Sequence, residues 1–291
     1  MHIFQVGVGS GGMVVLDLLA RDGGLKRVTI IDPDLFLPHN VHRHVFPMSE
    51  VGRLKVELAA EWLRERRPEL GVACIAADLT DSSKQSEFNG IAAECDLGVC
   101  AVDNEPAKYA FDSLMRTHGK PWTLGEVLSG GIGGWVHRFF PDGPCYGCVA
   151  SHLQRTVVEE PAVPMPNYAN PGGAVAEATV PASKASIEAI ASLHAVITLE
   201  IISSPGSSGD NQRADSGKWN TSTPGETFTS LLFTLKRVPG VFEEAFRTYR
   251  FVVPRAQDCL VCSTKPLLKL PETGENLDVA LDQALDRLAP Q

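Results

Sequence analysis

Nowhere in the 291 residues do eighteen apolar residues run without a break, so no membrane-spanning helix is expected. The chain opens MHIFQVGVGSGG, without the basic and then apolar stretch of a secretory leader. Positive charge is not in excess either. Lys and Arg number 26 against 35 Asp and Glu, a net of −9, which speaks against a general nucleic-acid or anionic-membrane binder. The P-loop pattern G-x-x-x-x-G-K-[ST] is absent, which removes that class of ATPase. An odd count of seven cysteines does not suit a disulfide framework, and a reducing, cytoplasmic setting is expected. Hydrophobic residues at 44% and charged residues at 21% are enough for a substantial core and exclude wholesale disorder.

The opening reads as strand, glycine turn, helix and strand. HIFQV is followed at once by Gly7-Val-Gly9-Ser-Gly-Gly12, then by a helix with Val14, Leu18 and Leu19 as its stripe, then by VTII ending in Asp32. This is a βαβ unit. The alternation continues through an expected helix over 51–67 (Leu54, Leu58, Leu63), the strand VACIAADL, a helix over 83–94 and the strand DLGVCAVD. A helix over 107–118 and the strands PWTLGEVL and GGWVHRFF complete it. Residues 1–140 are therefore expected to form an α/β, Rossmann-like, doubly wound and mostly parallel sheet. Residues 141–291 differ in texture: two cysteine pairs, a Pro-, Asn- and Gly-rich crossing loop over 159–181, and an apolar helix over 183–202. A polar, mobile stretch over 203–227 is expected next, then strands LLFTLKR and YRFVVPR as an antiparallel extension, then a terminal amphipathic helix over 275–288.

Gly7, Gly9 and Gly12 match G-x-G-x-x-G after a strand and at the start of a helix, where bare backbone N–H groups can approach phosphate. Asp32, twenty residues past Gly12, is placed to accept ribose hydroxyls. Alone, this fingerprint fits NAD or FAD as well as ATP, or a tight turn with no ligand. Asp34, Asn40, Arg43, the G-x-x-K of Gly52 to Lys55, and Asp103 with Asn104 change the balance. A triphosphate calls for cations, and its Mg²⁺ for a carboxylate. A hydride-transfer site has no use for them. Singly, Arg43 and Lys55 could be surface charges and Asp103 a helix cap. Taken in order, they favour ATP.

Cys145-Tyr-Gly-Cys148 and Cys259-Leu-Val-Cys262 each form a two-ligand knuckle, and four thiolates suit a closed, structural Zn²⁺. The alternatives are separate redox pairs or buried free thiols. Cys74, Cys95 and Cys100 fall in strand patterns or at a helix end and read as small buried hydrophobes.

GVGSGG, IDPD with Asn40 and Arg43, Gly52 to Lys55, Asp103-Asn104, PCYGC and CLVC together resemble the ubiquitin-activating-enzyme-like adenylyltransferases of the ThiF/MoeB/HesA type. The resemblance implies one adenylation domain over 1–291. It implies ATP and Mg²⁺ as ligands, and an acyl-adenylate made on the C-terminal glycine of a ubiquitin-like or sulfur-carrier protein. It places Asp32 on the ribose, Asn40, Arg43 and Lys55 on the phosphates, and Asp103 on Mg²⁺, with Arg43, Lys55 and Asp103 as the catalytic set. A homodimer is also implied. Many members carry a thioester-forming cysteine in the crossing loop, but residues 159–181 contain none. Direct transfer to an external thiol, on a conjugating enzyme or a sulfur donor, is therefore expected. The family's arginine from a helix ahead of the first strand is likewise not seen, so another arginine or a partner is expected to supply it. The competing readings are an NAD-dependent oxidoreductase and a non-catalytic scaffold subunit.

Overall fold

Strands that are apolar on both sides must be covered on both faces, and that requirement organises the molecule. The computed structural model describes residues 1–153, 165–167, 170–175, 181–203 and 228–263. Every residue of β1 (His2–Val6) is buried. Its alternate side chains enter two separate clusters, Ile3 packing on one face of the sheet and Phe4 and Val6 on the other. In order come α1 (Ser10–Ala20), β2 (Arg27–Ile31), α2 (Lys55–Arg66), β3 (Gly71–Ile75), α3 (Gln85–Glu94), β4 (Leu97–Cys100) and α4 (Glu105–Thr117). They are followed by β5 (Trp122–Val127), β6 (Gly133–Phe139), α5 (Tyr146–His152), β7 (Met165–Asn167), β8 (Asn170–Val175), α6 (Lys184–Ser203), β9 (Ser230–Thr234) and β10 (Thr248–Phe251).

Eight strands form one sheet in the order β10-β9-β6-β5-β4-β1-β2-β3. The five from β3 to β5 are parallel, and β6, β9 and β10 continue antiparallel. The expected doubly wound, mostly parallel sheet with an antiparallel extension is thus observed. Residues of α1, α2 and α6 cover one face and those of α3, α4 and α5 the other. Because β1 pairs with both β2 and β4, the loops leaving the ends of β1 and β4 diverge to opposite faces and open a crevice.

Several boundaries differ from expectation, each for a local reason. Helix α2 begins at Lys55 rather than 51, because Gly52 sits at φ +96° and Leu54 bridges to Leu35. Helix α4 begins earlier than 107, at Glu105, with Asn104 Oδ1 accepting the Ala107 N–H at 2.9 Å. Helix α5 and the hairpin β7–β8, within the expected crossing loop, were not anticipated. The rest of that loop, residues 204–227 and the terminal helix over 275–288 lie outside the described residues.

By length and composition alone α6 is apolar enough to cross a membrane, a test that buried core helices also meet. In this fold that composition serves packing. Helix α6 lies against α1 and β5, with Ile187, Ile190, Ala191, Ala195, Ile197 and Ile201 buried.

Candidate active site

The crevice between β1 and β4 opens into a cavity of about 790 Å³. Gly7, Gly9, Gly12, Asp32, Asp34, Asn40, Arg43, Lys55, Asp103 and Asn104 all line it, although they come from three separate connections and the first turns of α1 and α2.

The glycines do different work. Gly7 adopts φ +89°, and a Cβ there would lie 2.5 Å from the Ala101 carbonyl oxygen. A Cβ at Gly12 would lie 2.3 Å from the Gly7 carbonyl oxygen. Both are needed for the chain to pack on itself. Gly9 has an ordinary φ of −66°, and a Cβ there would meet nothing within 4 Å among the described residues, so none of them demands glycine at this position. What an absent side chain leaves at Gly9 is room for a ligand against backbone. Among the described residues no side chain caps α1, and its first turn lines the cavity.

Three side chains hold this loop in place. Gln5 on β1 donates to the carbonyls of Gly7 (3.0 Å) and Gly12 (2.8 Å). Asp32 Oδ2 accepts the Val8 N–H at 2.8 Å, and Oδ1 accepts that of Asp34 at 2.9 Å. His44 Nε2 lies 3.1 Å from the Val8 carbonyl, so that nitrogen carries the proton. Burial raises the Asp32 carboxyl above its usual range, against the pull of these backbone donors and Lys55. Burial, with help from Lys55, Lys184 and Arg43, lowers His44 to about 4 and keeps it neutral.

The cations are unequally engaged. Lys55, buried, pairs with exposed Asp34 at 2.6 Å. Arg43 lines the cavity, and its buried Nε makes no hydrogen bond among the described residues. Asn40 accepts the Leu37 N–H at 2.9 Å and Asn104 caps α4, so each keeps its amide NH₂ to offer. Asp103, just past β4, is exposed and has no polar partner among the described residues.

Gln5, His44, Lys108, Glu126 and His194 carry no mark in the sequence, and of these all but Gln5 line the cavity. Lys108 Nζ lies 2.7 Å from both Glu105 and Glu126. Burial pulls its pKa down, but the two carboxylates outweigh that and leave it above the ordinary range. His194 Nε2 is 2.9 Å from Thr123 Oγ1, and burial lowers it to about 3.

The four knuckle cysteines converge. Their sulfur atoms all lie within 4.8 Å of one another, with Cys145–Cys148 at 3.6 Å and Cys145–Cys259 and Cys148–Cys262 at 3.5 Å. A tetrahedron of sulfurs about 2.3 Å from a central zinc has edges of about 3.8 Å. Backbone N–H groups of Cys148, Val261 and Ala256 point at Cys145, Cys259 and Cys148 sulfurs at 3.4 Å. Such donors suit thiolates. Without a cation, burial drives the Cys145 and Cys148 thiols upward. Cys95 and Cys100 are buried and pushed up to about 12, and no cysteine lines the cavity.

The model of the ThiF family matches residues 1–234. The SAMP-activating enzyme E1 of Haloferax volcanii is 30% identical over 149 residues, covering 51% of this chain and 53% of that protein. The sulfur carrier protein adenylyltransferase of Thermus thermophilus is 30% identical over 152 residues, covering 50% and 54%. The chain thus spans about half the length of the curated relatives it matches. Among solved structures, E. coli MccB with ATP superposes with a TM-score of 0.60 at 18% identity, covering 90% of this chain and 66% of that one. That likeness is one of fold.

Proposed function

The chain belongs to the ThiF family, and from that premise we propose that it is an ATP-dependent adenylyltransferase acting on the C-terminal glycine carboxylate of a ubiquitin-like or sulfur-carrier protein. The observation that carries this is the convergence on one cavity of the ten residues singled out in the sequence, Arg43 with its unpartnered buried Nε among them. The carboxylate of the carrier attacks the α-phosphorus of ATP, and pyrophosphate leaves. Charge grows on the phosphate oxygens as this happens, and pre-fixed donors are worth most at that moment. Arg43 and Lys55 supply the cations, Asn40 supplies an amide donor, and the open N–H groups at the start of α1 complete the cradle. Asp32, which holds the glycine loop by the Val8 N–H, is the carboxylate offered to the ribose.

Mg²⁺ would be held by Asp103, a hard oxygen donor left open at the end of β4, and would neutralise the phosphate charge. Zn²⁺ fits the Cys145, Cys148, Cys259 and Cys262 cluster in donor type, spacing and closure, and its role there is structural. The acceptor thiol comes from outside the chain, from a conjugating enzyme or a sulfur donor. Cys95 and Cys100 are buried with raised pKa values, the four knuckle cysteines are grouped together, and Cys74 lies on β3 away from the cavity. A homodimer belongs to the same proposal and is checked by sedimentation.

ATP–pyrophosphate exchange tests the proposal. Label enters ATP only when a carrier ending in glycine is supplied with Mg²⁺. Exchange that never occurs with any such carrier, beside intact MgATP binding, would leave a scaffold. Uptake of NAD with indifference to MgATP would leave a dehydrogenase.

A further inference from the structure

Tyr146 stands between two of the clustered cysteines, and its ring is fully buried against Tyr109 and Phe139. Its hydroxyl donates to Glu105 Oε2 at 2.8 Å. Glu105 is the first residue of α4, two positions after Asp103. The other Glu105 oxygen takes Lys108 Nζ at 2.7 Å, and Lys108 reaches across to Glu126 Oε1 on β5 at 2.7 Å. Glu126 Oε2 in turn lies 3.1 Å from His137 Nε2, whose Nδ1 is 2.8 Å from Ser230 Oγ. The backbone N–H of Tyr146 also grips α4 further along, at Asp112 Oδ1, 3.0 Å away. An unbroken series of polar contacts therefore runs from the residue inside a knuckle to two side chains in the cavity wall.

The arrangement of Ser230, His137 and Glu126 has the members of a hydrolytic triad but the wrong order of access. Ser230 and His137 are fully buried, and it is Glu126 that meets the cavity. The serine orients the histidine, and the histidine supports a carboxylate. What the series fixes is the seat of α4, whose entry carries Asp103 and Asn104.

We propose that Tyr146 is a positioning residue through which the cysteine cluster acts on the nucleotide cavity: its hydroxyl fixes Glu105, and the Glu105–Lys108–Glu126 clamp ties the start of α4 to β5 so that Asp103 is held for the metal. The proposal rests on the zinc and MgATP readings above. The clamp does not touch Asp103 but fixes the backbone two residues beyond it, so its effect is expected near the lower end, about tenfold, of what direct partners of a metal ligand are worth.

Calorimetric titration of ATP and of Mg²⁺, with zinc analysis, provides the test on the full chain. Tyr146→Phe keeps the ring and loses only the donor. It is expected to retain one zinc per chain and to bind ATP without added Mg²⁺ as the wild type does, while needing roughly tenfold more Mg²⁺ for half-saturation. A loss of general packing would instead weaken both titrations together. Glu105→Gln, half-exposed at the start of α4, keeps the side chain's volume while weakening its hold on Lys108 and Tyr146, and is expected to reproduce the Mg²⁺ shift even if the first variant folds poorly. Stripping zinc from the wild type gives the same shift, and stripping it from Tyr146→Phe adds nothing further, since contacts in one series are not additive. An unchanged Mg²⁺ requirement in both variants overturns the proposal. So does an equal additional loss when the stripped variant is compared with the stripped wild type. A wild-type chain that holds no zinc, or that ignores MgATP, removes the readings underneath and the proposal with them.

Discussion

At the scale of single residues, the three fingerprint glycines separate into two kinds, and substitution distinguishes them. Gly12→Ala drives a methyl to 2.3 Å from a backbone oxygen that cannot move without breaking the Gln5 brace. A destabilisation of about 1–3 kcal/mol or more is expected, seen as a lower melting temperature. Gly9→Ala meets no protein atom, so its melting temperature stays within a degree or two of wild type while MgATP affinity falls about tenfold. If Gly9→Ala binds nucleotide normally, the ligand does not approach backbone there. Arg43→Ala is argued the same way. Its Nε has no internal partner to lose, so the fold is spared and the exchange rate falls by roughly 10²–10³-fold. Parallel unfolding and exchange measurements check both halves. A large stability loss with only a small rate loss would make Arg43 a structural residue. These residues were legible in the sequence because glycine and paired charges leave local marks. Gln5 and His44 were not. Their partners are carbonyls that become neighbours only once β1, the glycine loop and the 40–44 turn have folded together.

At the scale of elements, α6 shows what periodicity can and cannot convey. Its apolar composition was plain, and its bounds, Lys184–Ser203, match the expected 183–202 within one residue. Nothing in the pattern revealed that it buries a polar string against β5. The Thr198 hydroxyl donates to the His194 carbonyl at 2.8 Å, and Thr123 and Thr198 oxygens are 2.9 Å apart. Thr123 must then donate to Thr198 and accept from His194, which fixes the neutral ring with its proton on Nε2. Because burial lowers the folded-state value to about 3 against about 6.5 unfolded, the unfolded chain binds a proton that the folded chain refuses. His194 therefore favours the folded state above pH 6.5, and that contribution is lost as pH falls toward 3. Between pH 7 and pH 5 the loss amounts to about 2 kcal/mol. Denaturant unfolding of His194→Gln at the two pH values should show a pH dependence shallower than wild type by that amount. An identical dependence in both proteins would mean that His194 is protonated in the fold. Helix α5 was missed for the converse reason. Seven residues starting at Tyr146 are too few to show a period, and the Cys145–Cys148 spacing claimed the same stretch as a knuckle.

At the scale of the whole molecule, strand order was the least visible feature. Alternating strands and helices implied a parallel sheet, but no local pattern says that β9 pairs with β6 after a gap of ninety residues, or that β10 closes the edge. The cysteine spacing did carry long-range information, since two knuckles are of no use apart. Cys145 and Cys259 meet across 114 positions of sequence, tying the segment after β10 to the start of α5 beneath α4. A closed metal site here works as a cross-link. Zinc binds the folded arrangement and not the open chain, so its binding energy adds to the stability of the fold. By analogy with a covalent cross-link closing about 100 residues, its removal costs about 4–5 kcal/mol, or about 10 °C or more in melting temperature for a chain of this size. Cys259→Ser should lose most of its zinc and show this drop, with hydrogen exchange accelerated first in β9 and β10. Chelation of the wild type should give the same result, and Cys95→Ser, which removes a buried sulfur outside the cluster, should leave the zinc content unchanged. If Cys259→Ser melts with the wild type and the wild type carries less than about half a zinc per chain, the four sulfurs are a packing cluster and the β9–β10 edge is held by the sheet alone.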